Sequence, residues 1–258
     1  MDKLGLLNII MPELKTMRNL KQGPYHHLDV WKHSLETVRQ LEGLMLELKN
    51  NSEISGYLNE VISPQRKRYA LLKLGALLHD IGKPKALRYR DGKLTFYSHE
   101  KIGMEIAEHV IKRLKVSNVE WDALKKLVFF HLRPGYLADN EEVTPRAIFR
   151  YFRDTANEAV SILLISLADQ RATKGRLTTK KSRVRHERIA FGLIKEYFKR
   201  RKEKKVKRII NGDDLIKKFK LAPSPLIGKI LREIDELQAI GKVKTKQDAF
   251  KIAGKFLK

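Results

Sequence analysis

The feature that most constrains the fold is a helix with almost no polar face. Leu71, Leu72, Leu74, Ala76, Leu77 and Leu78 make this segment apolar nearly all round, so it belongs inside the protein rather than on its surface. It runs straight into His79 and Asp80. Two other apolar helices end in the same way: LVFF leads into His131, and AVSILLISLA leads into Asp169. A buried carboxylate costs on the order of several kcal/mol unless it is paired or binds a metal, so two such Asp residues among His residues ask for a cation.

Apolar residues recur at helical spacing along almost the whole chain, which predicts a mostly α fold. Candidate helices cover about 4–20, 28–49, 66–80, 99–115, 118–131, 145–154, 157–173, 181–205, 213–219, 225–240 and 246–257. Ser117 with Glu120, and Thr245 with Asp248, form start signals, and Thr144 precedes Pro145 at a first helical position. His27 is placed to cap the helix that carries His33. Strand-like alternation is confined to residues 86–96, where Asp91-Gly92 predicts one short β-hairpin. A boundary is expected near residue 209, giving a domain over 1–208 that includes a basic helix and a small helical appendage over 209–258. No internal repeat is present.

With 42% hydrophobic content, the 258 residues suffice for a sizeable core. No run approaches the roughly 18 apolar residues needed to span a bilayer. The start, MDKLGLLNIIMPELK, is charged too early for a secretory signal, so a cytoplasmic protein without a membrane partner is expected. Cysteine is absent, so a metal must be held by His, Asp and Glu. The net charge of +24 points to polyanions. From Arg171 to Arg208 the chain holds 17 Lys or Arg against Glu187, Glu196 and Glu203, a surplus of 14 that ion pairing within the segment cannot absorb. Lys180, Lys181, Arg183, Arg185, Arg188, Lys199, Arg200 and Arg201, continued by Lys204 and Lys205, form a candidate stripe for an RNA backbone.

His33 lies in DVWKHSLETV, off the main stripe of Leu28, Trp31, Leu35 and Val38, so it faces inward only if its helix is covered on two sides. In order, His33, the adjacent His79 and Asp80, and the distant Asp169 resemble the signature of the HD-domain metal-dependent phosphohydrolases. SHEKIG, with His99, and HLRP, with His131, resemble the extra pair of histidines in bimetallic members. More narrowly, HHLDVWKHSLETV, LLHDIGKPK, FYSHE, HLRP and SLADQRA resemble the HD module of bacterial transfer-RNA nucleotidyltransferases and poly(A)-polymerase-like proteins. INGDDLIKKFKLAPSPLIGKILREI resembles their last segment, so the resemblance covers nearly the whole chain.

The resemblance implies an HD-domain helical bundle and metal ligands His33, His79, Asp80, His99, His131 and Asp169. These would hold one or two divalent ions, with Asp80 bridging them. His and Asp donors accept Mn, Fe, Co, Ni, Zn or Mg. The implied activity is a phosphohydrolase or phosphodiesterase acting on a nucleotide or on an RNA-terminal phosphate such as a 2′,3′-cyclic phosphate, with tRNA or RNA ends as partners. Asp80, Lys83 and Arg133 are the candidate catalytic residues: Lys83 either stabilises developing negative charge or is a solvated lysine at a helix end, and Arg133 is either a phosphate clamp or a surface residue. The family's nucleotidyltransferase head, with its Gly-Ser motif and paired catalytic Asp residues, has no counterpart in the sequence, so nucleotide addition by this polypeptide alone is not expected. The alternative is an RNA-binding HD module cooperating with a separate nucleotidyltransferase chain. Glu100 is at best a partner of the ligands. His26, His109, His186, Trp31, Trp121, Phe129 and Phe130 are read as structural, with a substrate contact left open for His26 and His27.

Overall fold

The computed structural model describes residues 2, 4–64, 66–140, 142–203 and 207–257. These divide into two compact units, Met1–Glu141 with Thr155–Phe198, and Glu142–Asp154 with Lys199–Lys258. The second unit thus takes in a segment from mid-chain, and residues 199–208 fall on its side.

In chain order, the helices before residue 142 are α1 (Leu6–Ile10), α2 (Val30–Glu47), α3 (Ser52–Leu58), α4 (Arg68–Leu78), α5 (Lys83–Ala86), α6 (His99–Arg113), α7 (Asn118–Phe130) and α8 (Arg133–Asp139). They are followed by α9 (Pro145–Thr155), α10 (Ala159–Ala172), α11 (Lys180–Lys202), α12 (Gly212–Phe219), α13 (Pro225–Ala239) and α14 (Lys246–Lys255). The fold is mostly α, as the spacing of apolar residues predicts.

The core of the first unit is laid around α10, in which Ala159 to Ala168 are buried without interruption. It packs on α2, α4, α7 and α8. Because α2 is covered by both α10 and α4, the face carrying His33 is buried as well as the main stripe, and His33 is 1% exposed. Asp29 caps α2, accepting from the Lys32 amide at 2.8 Å, and His27 is exposed, so the cap lies two residues beyond the position expected for it. Trp31 is buried and Trp121 packs against the same core. α7 starts with the reciprocal capping box of Ser117 and Glu120.

The hairpin β3 (Arg88–Arg90) and β4 (Lys93–Thr95) pairs Arg90 with Lys93 around Asp91 and Gly92. Both turn residues have positive φ, 49° and 70°, the geometry for which an Asp-Gly pair is suited. A second antiparallel pair, β1 (Val61–Ser63) with β2 (Arg66–Lys67), lies outside the single hairpin expected. It has an irregular register and too few residues to show alternation, which is why its pattern is invisible in sequence.

The second unit has its own core of Ile210, Leu215, Ile227, Ile230, Ile234, Val243, Ala249 and Ala253. Arg146, Arg150 and Arg153 of α9 converge on the buried Glu236 of α13. α12 and α14 both begin with capping boxes, Asn211 with Asp214 and Thr245 with Asp248.

Candidate metal centre

Five of the six candidate ligands sit at helix ends, where the chain leaves a regular hydrogen-bonded turn and the side chain points along the helix into the core. His79 is the C-cap of α4 and Asp80 follows it; His131 is the C-cap of α7; His99 opens α6; Asp169 lies in the last turn of α10. His33, on α2, is the exception. His33, His79, Asp80, His99 and His131 are all buried, and Asp169 keeps 23% of its side chain exposed.

The two oxygens of Asp80 face different groups. Oδ2 lies 3.2 Å from Nε2 of His79 and 3.7 Å from Nε2 of His33. Asp169 joins this side through Oδ1, at 2.9 Å from His33 Nε2 and 3.9 Å from His79 Nε2. Oδ1 of Asp80 lies 3.3 Å from Nε2 of His99 and 3.7 Å from Nε2 of His131, and those two nitrogens are 3.3 Å apart. The residues thus form two adjoining triads able to hold a cation, His33, His79 and Asp80, and Asp80, His99 and His131, with Asp80 common to both.

Three of the imidazoles are oriented in one manner. Nδ1 of His79, His99 and His131 lies 2.8, 2.8 and 2.7 Å from the carbonyls of Ala76, Phe96 and Val128. A carbonyl only accepts, so each Nδ1 donates and each Nε2 keeps its lone pair toward Asp80. Nε2 of His33 and of His79 are buried with no hydrogen-bond partner, although His33 Nε2 is close to Asp169, because the angle is unsuited to an N–H···O bond. Imidazole lone pairs converging on a shared carboxylate are the donor set that a divalent cation satisfies.

Burial opposes ionisation of Asp80, but His79, Lys83 and His99 outweigh it and hold the carboxyl well below its ordinary range. Burial likewise opposes ionisation of Asp169, and His33 and His79 reverse it. Burial pushes His131 down to about 3, so it stays neutral and able to ligate at physiological pH.

Lys83 is buried, with Nζ 2.6 Å from Asp80 Oδ2 and 2.6 Å from Gln22 Oε1. Arg133 is half-buried at the start of α8, its guanidinium 5.5 Å from the Phe130 ring centroid. Glu100 Oε2 lies 3.9 Å from His99 Nδ1. Gly82 explains how α6 comes so near: a Cβ there would meet the His99 carbonyl at 2.1 Å and the Gly103 amide at 2.4 Å. Ser98, just before His99, is held at φ 60°, a left-handed conformation uncommon outside glycine.

Two neighbours were not singled out as site residues. His26 packs edge-on against His33 with ring centroids 4.6 Å apart, and burial together with the Lys83 and His33 charges pushes it down to about 3. His186 Nε2 lies 3.0 Å from Ser166 Oγ. His26 opens the HHLDVWKHSLETV stretch and His186 lies outside the quoted motifs, but the contacts of both are revealed only by the fold.

Of the basic stripe, Lys180, Lys181 and Arg188 are exposed and Arg185 is half-buried on α11. Arg183 turns inward and donates to the Thr173 carbonyl at 3.0 Å. Lys199, Arg200 and Arg201 belong to the second unit, where Arg200 lies 5.1 Å from the Phe152 ring centroid. Lys204 and Lys205 lie outside the described residues. No helix among the described residues is long and apolar enough to cross a membrane.

The chain is 27% identical over 256 residues to the A-adding tRNA nucleotidyltransferase of Deinococcus radiodurans, an alignment covering 96% of this chain and 51% of that one. It is 27% identical over 252 residues to the CC-adding tRNA nucleotidyltransferase of Thermus thermophilus, covering 96% of this chain and 50% of that one. A bifunctional uridylyltransferase/uridylyl-removing enzyme of Cereibacter sphaeroides is 25% identical over 150 residues, 57% of this chain and 15% of that one. The chain thus spans about half the length of the two nucleotidyltransferases. The HD-domain profile matches residues 30–174, the stretch that contains all six candidate ligands, and the chain belongs to the HD-domain family.

Proposed function

We propose that this chain is a two-metal phosphohydrolase acting on a nucleotide or on an RNA-terminal phosphate such as a 2′,3′-cyclic phosphate. The observation that carries the reading is the division of Asp80, whose two carboxylate oxygens face separate histidine groups. In this reading His33, His79, Asp80 and Asp169 hold one divalent ion, and Asp80, His99 and His131 hold the other. Ions held there would supply Lewis-acid stabilisation of phosphate oxygens and would activate a water as nucleophile. The chain's own groups do the remaining work. The carbonyls of Ala76, Phe96 and Val128 fix the imidazoles, which limits reorganisation during reaction. Lys83 holds Asp80 in orientation and places a cation where negative charge grows on phosphate. Arg133, two residues past His131, suits a non-bridging oxygen.

The net charge of +24 and the tRNA-directed names of two relatives support an RNA substrate or partner. They equally support a second reading, an RNA-binding HD module, since 96% of this chain aligns with each of those enzymes.

One experiment separates the two readings. Metal content is measured, the protein is stripped with chelator, and Mn, Fe, Co, Ni, Zn or Mg is restored. Chromogenic phosphodiesters, 2′,3′-cyclic nucleotides and RNA ending in a 2′,3′-cyclic phosphate are then assayed. Metal-dependent turnover supports the hydrolase; RNA affinity with no turnover under any ion leaves the binding module.

A further inference from the structure

A cavity of about 350 Å³ opens beside the metal centre, lined by Tyr25, Asp139, Gln170, Thr173, Lys181 and Arg185 among others. Two of its walls are in contact with candidate ligands. Gln170 follows Asp169 directly, and Thr173 Oγ1 donates to the Asp169 carbonyl at 2.9 Å. On the other wall, Tyr25 precedes His26, whose ring packs on His33. The cavity thus borders residues next to the candidate ligands on two sides, and its volume falls within the range typical of small-ligand sites.

Its chemistry is that of a nucleotide site. Lys181 and Arg185 are one helical turn apart at the start of α11, with the hydroxyls of Thr178, Thr179 and Ser182 around them, and Asp139 is the one acid in the lining. Tyr25 is 56% exposed, yet its backbone is held: its carbonyl accepts from the Gly175 amide at 2.7 Å and from Thr178 Oγ1 at 3.3 Å. Gly175 is required there, since a Cβ would meet the Tyr25 carbonyl carbon at 2.2 Å. An exposed aromatic ring on an anchored backbone, beside paired cations, is a combination that takes a base and a phosphate. A second hollow of about 300 Å³, lined by Lys181, Val184, Arg185 and Arg188, continues along the same helix.

Resting on the phosphohydrolase reading, we infer that this cavity seats the terminal nucleotide of an RNA strand, its base on Tyr25 and its 5′ phosphodiester between Lys181 and Arg185, while its terminal phosphate lies at the metal centre. The substrate is then a strand end rather than a free nucleotide. The next phosphate follows toward Arg188.

The test compares uridine 2′,3′-cyclic phosphate with a uridine trinucleotide carrying the same cyclic end, in the full chain loaded with metal. The trinucleotide should show kcat/KM at least about tenfold higher, and in Lys181→Gln/Arg185→Gln this ratio should fall to within about twofold of unity. Tyr25→Leu should lower kcat/KM for both substrates, since both carry the terminal base, and leave the ratio near its unmodified value. A control, Lys112→Gln/Lys125→Gln, removes two exposed cations from α6 and α7 and should keep it. A ratio near unity in the unmodified protein, or one unchanged in the double variant, overturns the subsite. If no ester is turned over, the hydrolase reading fails and the subsite is judged by anisotropy with a labelled trinucleotide 3′-phosphate. Binding about tenfold weaker in Lys181→Gln/Arg185→Gln than in the control upholds it, and equal binding overturns it.

Discussion

The ammonium of Lys83 lies 2.6 Å from Oδ2 of Asp80, in a pocket where both side chains are nearly excluded from solvent. Three residues apart, they are brought together by the turn between α4 and α5, in which the Lys83 amide donates to the Asp80 carbonyl at 3.0 Å. An ion pair so enclosed is costly to form, and partners of opposite kind around the rest of the carboxylate offset that cost. Asp80 has them in His79 and His99.

This pairing separates metal binding from chemistry. Asp80→Ala removes the carboxylate common to both triads, so metal content should fall and metal-dependent turnover should disappear. The variant should also lose about 3 kcal/mol of stability, because the buried Lys83 is left without its ion-pair partner, so turnover is scored on the folded fraction. Lys83→Ala should keep its metal and lose about 10²-fold in kcat, the scale of one charge-stabilising donor. Metal analysis beside steady-state kinetics, on protein shown to be folded by circular dichroism, checks both. Full activity in Lys83→Ala would leave the lysine a structural role only.

Gly82 invites a test of packing. Its φ of −81° suits any residue, so the requirement is space: an added methyl would enter the backbone of His99 and Gly103. Gly82→Ala should destabilise by about 3 kcal/mol, the upper part of the overpacking range, and displace His99 from Asp80. Urea unfolding and metal stoichiometry should report both effects. An unaffected midpoint would mean that α6 shifts freely.

Glu120 links α7 to the β1–β2 hairpin. Hydrogen bonds from Arg66 lead, with Ser117 and Ser63, in pulling its carboxyl from an ordinary 4.5 down to about 2 against the opposing effect of burial. A carboxyl lowered on folding contributes stability that is complete above about 4.5 and is lost as pH falls toward about 2. Glu120→Gln should therefore cost about 1–2 kcal/mol at pH 7, part of it from the broken capping box, and the gap to the unmodified protein should narrow below pH 4.5. Urea midpoints at several pH values measure it. A gap independent of pH would show that the charge contributes nothing.

What the sequence could reveal here followed from periodicity and from local chemistry. Apolar helices ending in His79, His131 and Asp169 are visible because burial leaves a mark on neighbouring residues. Asp91-Gly92 and the Ser117 and Thr245 caps are visible because they act within four residues. His33 was legible only through resemblance, since its inward face depends on α4 and α10 both covering α2. Gly82 sat inside the motif, but the reason for it lies 17 and 21 residues away at His99 and Gly103. Tyr25 gave no signal, and His26 no more than an open substrate contact, because what anchors this loop is a hydrogen bond from Gly175 to Tyr25, 150 residues along the chain.

The basic stripe yields the last prediction. Lys180, Lys181, Arg185 and Arg188 lie on the first three turns of α11, and among them only Lys181, Arg185 and Arg188 also border the hollows described above. A phosphate neutralised by a cation releases condensed counterions, so each contact adds roughly 0.7 to 0.9 to the slope of log affinity against log salt. Replacing all four by Gln should flatten that slope by about 3 for single-stranded RNA or tRNA and weaken binding with little change in sequence preference. Replacing Arg183 alone should act differently, because its guanidinium is committed to the Thr173 carbonyl: it should lower stability and leave the salt slope near that of the unmodified protein. Anisotropy titrations from low to physiological salt give both slopes. If the unmodified protein binds neither RNA with a salt-dependent affinity, the stripe is a solvated helix face, and a free nucleotide becomes the better substrate.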